Sequence, residues 1–417
     1  MDIRLQHTTG IIQGEITLES SKSISNRALI IRALCEQPFR IENLSKAADS
    51  VVLQNLLDEK PDHYDCGAGG TTFRFLTAFL AIRPGQQVLT GTEGLQKRPV
   101  EELVRCLTLL GANIQYLNKE GFPPLRIGEP DFSRAQKTIE IDASISSQFV
   151  SALLMIAPML PEGLSLKLNN SVTSRPYIDM TLQMMAYFGV ESKEENGEIR
   201  IAPQKYVSRD FFVESDWSGA SYFYAAAALS KKTDLQLNGL FENSWQGDRV
   251  ISLMAEKFGV QTTYNSRGVQ LFKDAAGRLP FFEYDFTNCP DLVQTMAVLV
   301  AGLGTTGLFS GLESLKIKET DRIFALKQEL GKAGVLMSAL PDRFSKDKNK
   351  IHYLLEGKIS LDELKVDTYD DHRMALSFFP LALRVPVLIQ SAEVVGKSYP
   401  NVWSDLEKLG FTIEYLN

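Results

Sequence analysis

One segment shows how this chain is built: Thr181-Leu182-Gln183-Met184-Met185-Ala186-Tyr187-Phe188-Gly189-Val190-Glu191-Ser192. An apolar helical stretch ends at Gly189, and a β-prone run follows at once. A glycine at this point favours a left-handed residue that closes the last helical turn. Further on, Asn196-Gly197 separates two strand-like runs, which is a strong hairpin signal. The segment therefore predicts a helix that leads into a β-hairpin.

The same pattern occurs five times along the chain. Successive glycines are separated by 78, 70, 75 and 76 residues. Frequent glycine caps also produce such spacings by chance, but a regular period favours one repeated structural unit. The five glycines are Gly111, Gly189, Gly259, Gly334 and Gly410.

Six such units would fill the chain. The first is predicted from a helix that stops near Glu36, with Pro38 in place of the glycine and a strand after it. The last unit has no return strand after Gly410, because the sequence given ends at Asn417. We expect residues 3–5 to supply that strand, which makes the domain at the chain ends discontinuous.

Composition excludes several classes of protein. The chain has 417 residues, of which 44% are hydrophobic and 23% charged, as in a globular protein of two or three domains. Its net charge of -7 disfavours a broad nucleic-acid surface. The sequence shows no export signal and no apolar run long enough for a membrane span. We expect a cytoplasmic protein that binds neither nucleic acid nor membrane.

The cysteines argue against metal and disulfide chemistry. The chain has four of them, without any C-x-x-C spacing, and no His, Cys or carboxylate cluster has the spacing of metal ligands. We therefore expect no disulfide framework, no metal and no cofactor.

Polar and charged residues collect where helices are predicted to begin. A helix start has unpaired N–H groups and a positive dipole end, so nearby cations and hydroxyls suit a phosphate. Each run alone also fits an ordinary solvated cap. Because the runs recur at the same position within successive repeats, together they favour helix starts that converge on one anion site. The runs are Lys22-Ser23-Ile24-Ser25-Asn26-Arg27, Gly67-Ala68-Gly69-Gly70-Thr71-Thr72, Arg98-Pro99 with proline as the first helical residue, Ser146-Ser147-Gln148, Lys318-Glu319-Thr320-Asp321-Arg322 and Asp371-His372-Arg373.

In this order, these runs resemble the enolpyruvyl transferase family, and within it the members that act on shikimate 3-phosphate. The resemblance extends from Lys22 to Lys397. Further motifs that carry it are Gln96-x-Arg98-Pro99, Ser174-Arg175-Pro176-Tyr177-Ile178-Asp179, Gln246-Gly247-Asp248, Pro290-Asp291 and Asp371-His372-Arg373-Met374-Ala375.

The resemblance implies a fold and a domain division. The expected fold is a two-domain inside-out α/β barrel, with helices inside and sheets outside, built from six βαβαββ repeats of about 75 residues. Residues 1–20 and 215–417 would form one domain and residues 21–214 the other. The active site would lie in the cleft between them.

The resemblance also implies substrates and site residues. The expected reaction moves the enolpyruvyl group of phosphoenolpyruvate to the 5-hydroxyl of shikimate 3-phosphate, in a monomer. Asp291 would be the base and Glu319 the acid, with Lys22 and Lys318 stabilising charge. The expected phosphoenolpyruvate ligands are Lys22, Gly70, Arg98, Gln148, Arg322, Arg373 and Lys397. The expected shikimate 3-phosphate ligands are Lys22, Ser23, Arg27, Ser146, Ser147, Gln148, Ser174, Tyr177, Asp291, Ser314 and Lys318.

Several positions depart from the family pattern. Ala68 and Ser314 stand where asparagines are usual, and Phe75 stands where proline is common. The acidic stretch after the first strand pair is altered to Ser45-Lys46-Ala47-Ala48-Asp49-Ser50. The resemblance further implies inhibition by glyphosate in competition with phosphoenolpyruvate, in a pocket that Gly70 leaves sterically open.

Two other functions fit parts of the pattern. A sister enzyme transfers enolpyruvate to UDP-N-acetylglucosamine, but it has Lys-Asn near its start and usually a cysteine on a mobile loop. Here Ser23 follows Lys22, and residues 113–124 contain no cysteine. A non-catalytic metabolite-binding protein on the same scaffold would be expected to lack Asp291 and Glu319, which this chain has.

Overall fold

The chain divides into two compact units. The structure, a computed structural model, describes residues 1–170, 172–273, 279–341, 343, 345, 347 and 350–416. Unit 1 consists of Met1–Ser20 and Glu214–Asn417, and unit 2 of Ser21–Val213. The boundaries expected from the sequence were residues 20 and 215, so the second crossover is one residue earlier in the structure.

Helices and strands alternate along most of the described chain. The helices are α1 (Lys22–Leu34), α2 (Ala48–Glu59), α3 (Gly70–Ala81), α4 (Glu93–Gln96), α5 (Glu101–Leu109), α6 (Ser147–Ile156), α7 (Arg175–Tyr187), α8 (Trp217–Leu229), α9 (Ile251–Glu256), α10 (Val293–Leu303), α11 (Arg322–Lys332), α12 (His372–Phe378) and α13 (Val402–Lys408). The strands are β1 (Asp2–Gln6), β2 (Ile11–Thr17), β3 (Ile41–Glu42), β4 (His63–Asp65), β5 (Gln87–Thr90), β6 (Asn113–Tyr116), β7 (Leu125–Gly128), β8 (Thr138–Asp142), β9 (Leu164–Asn169), β10 (Lys193–Glu195), β11 (Glu198–Ile201), β12 (Phe211–Phe212), β13 (Lys232–Asn238), β14 (Gln261–Asn265), β15 (Gly268–Lys273), β16 (Phe281–Asp285), β17 (Thr306–Ser310), β18 (Val335–Ala339), β19 (Tyr353–Gly357), β20 (Leu364–Val366), β21 (Val387–Ile389) and β22 (Thr412–Leu416).

Five sheets of the described residues repeat one topology. In each, two neighbouring parallel strands are extended by two antiparallel strands. Unit 2 contains the orders β4-β5-β7-β6 and β8-β9-β11-β10, and unit 1 contains β2-β13-β15-β14, β16-β17-β19-β18 and β20-β21-β1-β22. In the last sheet β1 pairs antiparallel with both β21 and β22, with Ile3 opposite Ile389 and Tyr415. The predicted return strand from the N-terminus is confirmed.

The glycines that mark the repeat have the predicted conformation. All five lie at positive φ, from +80° at Gly334 to +96° at Gly111, where other L residues are strained. Asn196 and Gly197 also have positive φ, as a two-residue hairpin turn between β10 and β11 requires.

The prediction at Pro38 is confirmed and the one at Pro99 is wrong. The helix expected to stop near Glu36 is α1, which ends at Leu34, and the expected strand is the two-residue β3, which pairs with β12. Asn43, after β3, and Lys60, after α2, are left-handed residues in this region. Pro99 is not the first helical residue. It lies between α4 and α5, because the N–H of Val100 donates to Gly121 O at 2.9 Å and α5 begins one residue later.

Each unit buries the first helix of its repeats. Every residue of α8 in unit 1 is buried, and so is nearly all of α6 in unit 2. Helices that are apolar all round belong in a core rather than at a surface. Their polar residues lie mainly in the first two turns, and Ser147, Gln148 and Ser218 lie in the first turn. In the described part of the chain, no helix has the length and apolar character needed to cross a bilayer.

Candidate active site

Unit 2 gathers the predicted ligands around the first turn of α3. Three successive residues, Gly70, Thr71 and Thr72, contact three different parts of the unit. We call the group the unit 2 cluster. It comprises Lys22, Asp49, Gly70, Thr71, Thr72, Arg74, Arg98 and Gln148.

Lys22 is held at the start of α1 by a carboxylate. Its Nζ lies 3.2 Å from Asp49 Oδ2, and both side chains are largely buried, with exposures of 20% and 15%. The carbonyl of Asp49 accepts from Thr72 Oγ1 at 2.9 Å, which ties the ion pair to α3. Sequence reasoning missed the pairing of Asp49 with Lys22, because nothing in the local pattern relates this carboxylate to a lysine 27 residues earlier.

Arg98 and Gln148 approach the same turn of α3. A Cβ on Gly70 would lie 2.5 Å from Arg98 Nη1, so the glycine makes room for the guanidinium. Gln148 Nε2 donates to Thr71 Oγ1 at 3.1 Å, and its Oε1 accepts from Arg74 Nη1 at 2.5 Å. Protein contacts to both the nitrogen and the oxygen therefore orient the Gln148 amide.

Arg27 lies in the interior of unit 2, only 1% exposed. Its Nε donates to Thr181 Oγ1 at 2.7 Å, and its Nη2 donates to Ser151 Oγ at 3.0 Å and to Tyr177 O at 3.2 Å. Nη1 donates to Ser23 O at 2.9 Å. Burial lowers the pKa of Arg27 to about 10, which still leaves it charged at neutral pH. Arg27 thus joins the start of α1 to α7 through two backbone carbonyls.

The predicted serines of unit 2 lie at helix starts. Ser146 caps α6, where its Oγ accepts from Gln148 N at 3.2 Å, and the largely buried Ser147 is the first helical residue. Ser174 precedes α7 at φ +57° and is 6% exposed. The ring of Tyr177 lies 5.9 Å from the Arg27 guanidinium carbon.

Unit 1 brings two arginines onto one aspartate. Arg322 Nη1 donates to Asp291 Oδ1 at 3.0 Å, and Arg373 Nη2 donates to Asp291 Oδ2 at 2.8 Å. Arg322 Nη2 also donates to Glu319 Oε2 at 2.8 Å. A third carboxylate, Asp371, receives Arg322 Nε at 2.7 Å. We call these five residues the unit 1 cluster.

Three of these side chains lie at or just before the start of a helix. Asp291 lies in the 3-10 turn Pro290–Leu292 that leads into α10. Arg322 is the first residue of α11, after the cap Asp321. Arg373 is the second residue of α12, and its backbone N–H donates to the cap Asp371 at 2.9 Å.

Burial and neighbouring charges shift the pKa of Asp291 in opposite directions. Burial by itself would raise the pKa of Asp291, but Arg373, Lys318 and Arg322 hold it well below its ordinary value. The nearby Asp248 behaves oppositely: burial, and then the charge of Asp291, raise its pKa. Asp291 is therefore ionised and charge-paired in this structure.

The remaining predicted residues of unit 1 lie on neighbouring loops. Lys318 follows the 3-10 helix Glu313–Ile317, which contains the half-buried Ser314. Lys397 Nζ donates to Asp370 O at 2.6 Å. Asp370 itself has φ +54°, in a turn directly before Asp371. Thus each predicted substrate-binding set has members in both units.

The departures from the family pattern have visible consequences. Ala68 is an exposed turn residue ahead of α3. Phe75 is buried in α3, with its ring 5.4 Å from the guanidinium carbon of Arg27. The altered stretch packs against α1, since Ser45 N donates to Ser25 Oγ at 3.0 Å and Ser50 Oγ to Asn26 Oδ1 at 2.7 Å.

The described residues contain no group of three or more His, Cys, Asp or Glu side chains arranged to hold a metal ion. The unit 1 cluster instead pairs two arginines with three carboxylates, and the unit 2 cluster is rich in cations and hydroxyls. Cations and hydroxyls bind phosphate and carboxylate by charge-assisted hydrogen bonds.

Comparison with known proteins shows one consistent family. The family described as EPSP synthase (3-phosphoshikimate 1-carboxyvinyltransferase) matches residues 52–406. A 3-phosphoshikimate 1-carboxyvinyltransferase of Bacteroides fragilis is 44% identical over 407 residues, covering 97% of each chain. One of a Sulfurovum species is 35% identical, covering 95% of this chain and 97% of that one.

Solved structures show the same fold. An EPSP synthase from Acinetobacter baumannii has a TM-score of 0.77 and 22% identity, covering 99% of this chain and 100% of its own. The enolpyruvyl transferase NikO from Streptomyces tendae has a TM-score of 0.74 and 14% identity, covering 100% and 99%. At these identities the likeness concerns the fold alone, and the predicted fold class is confirmed.

Proposed function

Because the chain belongs to the EPSP synthase family, we propose that its two clusters together carry out the reaction for which that family is named. The protein is a transferase of the shikimate pathway, in aromatic amino-acid biosynthesis. It moves the enolpyruvyl group of phosphoenolpyruvate to the 5-hydroxyl of shikimate 3-phosphate and releases phosphate. The observation that carries the residue assignment is the pairing of Arg322 and Arg373 on Asp291.

Phosphoenolpyruvate has a phosphate and a carboxylate, and both need cations. We assign Lys22, Gly70, Arg98 and Gln148 of unit 2 and Arg322, Arg373 and Lys397 of unit 1 to its site. A chain of net charge -7 binds such an anion only where cations are concentrated, and five of the seven assigned residues are cations.

Shikimate 3-phosphate takes the hydroxyl-rich part of unit 2. We assign Ser23, Ser146, Ser147 and Ser174 to it, with Tyr177 against the ring. Arg27 supports this site from the interior of unit 2, since four of its five N–H groups already donate to protein oxygens. Lys22 and Gln148 serve both substrates, and Asp291, Ser314 and Lys318 complete the set from unit 1.

The reaction proceeds by addition and elimination. The 5-hydroxyl oxygen bonds to C2 of phosphoenolpyruvate as its proton passes to Asp291 and C3 takes a proton from Glu319. The resulting tetrahedral intermediate then loses a proton from C3, and its C2–O bond to phosphate breaks. Lys22 and Lys318 stabilise the charge that develops on the departing phosphate.

The ion pairs of Asp291 give substrate binding a role in activating the base. Arg322 and Arg373 hold the pKa of Asp291 low in this structure, and a low pKa makes a weak base. When the anionic substrate shares their N–H groups, the carboxylate becomes more basic. The base is thus strengthened only when phosphoenolpyruvate is present.

Phosphate release tests the proposed function. The purified chain is expected to release phosphate only when both substrates are supplied, with one phosphate for each enolpyruvyl group transferred. Release with UDP-N-acetylglucosamine in place of shikimate 3-phosphate would favour the sister activity. Binding of both compounds without any release would favour a non-catalytic protein.

We further propose a cytoplasmic monomer. The four free cysteines are consistent with a reducing compartment.

Binding of shikimate 3-phosphate should compact the chain. Its proposed ligands come from both units, Ser146 and Ser174 from unit 2 and Asp291 and Lys318 from unit 1. Small-angle scattering is expected to show a smaller radius of gyration at saturating shikimate 3-phosphate, but not with inorganic phosphate as the control. An unchanged radius would contradict the division of this site between units.

Gly70→Ala should weaken phosphoenolpyruvate binding and, more strongly, inhibition by glyphosate. The new methyl group would lie 2.5 Å from Arg98 Nη1 and 2.8 Å from its Cζ, so the guanidinium must move. We expect KM for phosphoenolpyruvate to rise about tenfold, as for one lost hydrogen bond to a charged group. Glyphosate is longer than phosphoenolpyruvate, so its inhibition constant should rise by a larger factor.

Gly331→Ala is the matched control, because a Cβ there meets no atom within 4 Å. Steady-state kinetics with glyphosate as a competitor measures both effects. Unchanged inhibition of Gly70→Ala would remove the first turn of α3 from the phosphoenolpyruvate pocket.

A further inference from the structure

Asp371 contacts both arginines of the unit 1 cluster and is fully buried. Its Oδ2 accepts from Arg322 Nε at 2.7 Å, and its Oδ1 lies 3.4 Å from Arg322 Nη2. The same Oδ1 accepts from the backbone N–H of Arg373 at 2.9 Å. One carboxylate thereby holds the guanidinium of one arginine and the helix start that carries the other.

Three carboxylates surround Arg322, and they differ in exposure. The side chain of Asp371 is 0% exposed, that of Asp291 14% and that of Glu319 25%. A carboxylate without access to solvent keeps its partner, since leaving it unpaired in the interior costs several kcal/mol. The two more exposed carboxylates can exchange their N–H donors for those of a ligand or water.

The partners of Arg322 contact different edges of its guanidinium. Asp371 takes the edge formed by Nε and Nη2, whereas Nη1 points to Asp291. A planar guanidinium fixed along one edge has its other N–H groups fixed in direction. Arg322 therefore presents Nη1 in one orientation, whatever its second partner is.

We infer that Asp371 is a positioning residue for phosphoenolpyruvate binding, which fixes the guanidinium of Arg322 while Asp291 and Glu319 give way to the substrate. This rests on the proposed function, because it takes Arg322 as a substrate ligand. Asp371 touches neither substrate nor reacting atom and acts through Arg322. A displacement of a binding group by about 1 Å can lower catalysis about 10²-fold.

Asp371→Asn separates this role from helix capping. Asparagine caps helices as well as aspartate does, so the contact with the N–H of Arg373 is retained. Its amide cannot accept from both Nε and Nη2 of Arg322. We expect kcat/KM for phosphoenolpyruvate to fall about 10²-fold, and the dissociation constant of shikimate 3-phosphate to change less than about threefold. Charge alone predicts the opposite, since loss of a negative charge near the site favours an anion.

Asp321→Asn is the matched control. Asp321 also caps a helix, α11, with Oδ1 accepting from Ile323 N and Phe324 N at 3.1 and 3.0 Å. It is exposed and adjoins Arg322 in the chain, so its variant removes the same charge and keeps a cap. We expect near-normal kinetics. Asp371→Ser, a second capping residue, serves if Asp371→Asn does not fold, as judged by circular dichroism and thermal unfolding.

A double variant shows whether Asp371 acts through Arg322. With Arg322→Gln already present, adding Asp371→Asn should lower kcat/KM by less than about threefold, because coupled residues are not additive. Equal losses in both backgrounds, or a lower unfolding temperature with normal kinetics, would overturn the inference and leave the proposed function intact. Normal phosphoenolpyruvate use by Arg322→Gln would overturn both.

Discussion

Asp291→Asn is expected to lower kcat about 10³-fold, within the range for loss of a general base. The carboxylate accepts from Arg322 and Arg373 on its two oxygens, so it is ionised before substrate arrives. Asparagine keeps one acceptor oxygen and the size of the side chain but cannot take a proton at neutral pH. KM for phosphoenolpyruvate should not rise, because both arginines lose a competing negative charge.

Asp285→Asn is the control for this variant. Asp285 lies in the same unit, pairs with Lys350 and caps the 3-10 helix Phe286–Asn288. Asparagine keeps that cap, so steady-state rates should stay near the wild-type values. If Asp291→Asn retained kcat within tenfold of wild type, another group would have to be the base.

Arg373→Ala is expected to lower kcat/KM for phosphoenolpyruvate about 10²-fold without unfolding the chain. A hydrogen bond to a charged group is worth about 1.5–3 kcal/mol, and the guanidinium is a proposed ligand of the substrate anion. The helix start is retained, because Asp371 holds the backbone N–H of residue 373 rather than its side chain. Loss of Arg373 should also raise the pKa of Asp291 from its lowered value.

Arg384→Ala provides the comparison, since Arg384 is an exposed cation of the same unit. It should behave as wild type in steady-state kinetics and in thermal unfolding. An Arg373→Ala enzyme with kcat/KM within threefold of wild type would exclude this side chain from the phosphoenolpyruvate site.

The repeat could be predicted because its signals are local. Each glycine cap requires a positive φ at one residue, and that requirement shows directly in the sequence. The N-terminal strand followed from counting strands in the last unit. Pro99 was misleading, because the pattern around a proline does not reveal whether a helix ends there or begins after it.

The site was predictable only in part. Helix starts rich in cations pointed to anion binding, but Pro290-Asp291 resembles any cap, and only the family resemblance assigned it a role. Asp49 and Asp371 act through partners 27 and 49 residues away, at distances that no period encodes. Which carboxylate faces a given cation depends on how the repeats pack within each unit.

Turnover in D₂O tests the central claim most directly, that this chain transfers enolpyruvate by addition and elimination. If C3 becomes a methyl group in the intermediate, it gains a deuteron from solvent and then loses one of its three hydrogens. Mass spectrometry of the product is expected to show deuterium in the methylene group of a fraction of the molecules, with one phosphate released for each product. A product free of deuterium, or phosphate release from phosphoenolpyruvate alone, would contradict the account.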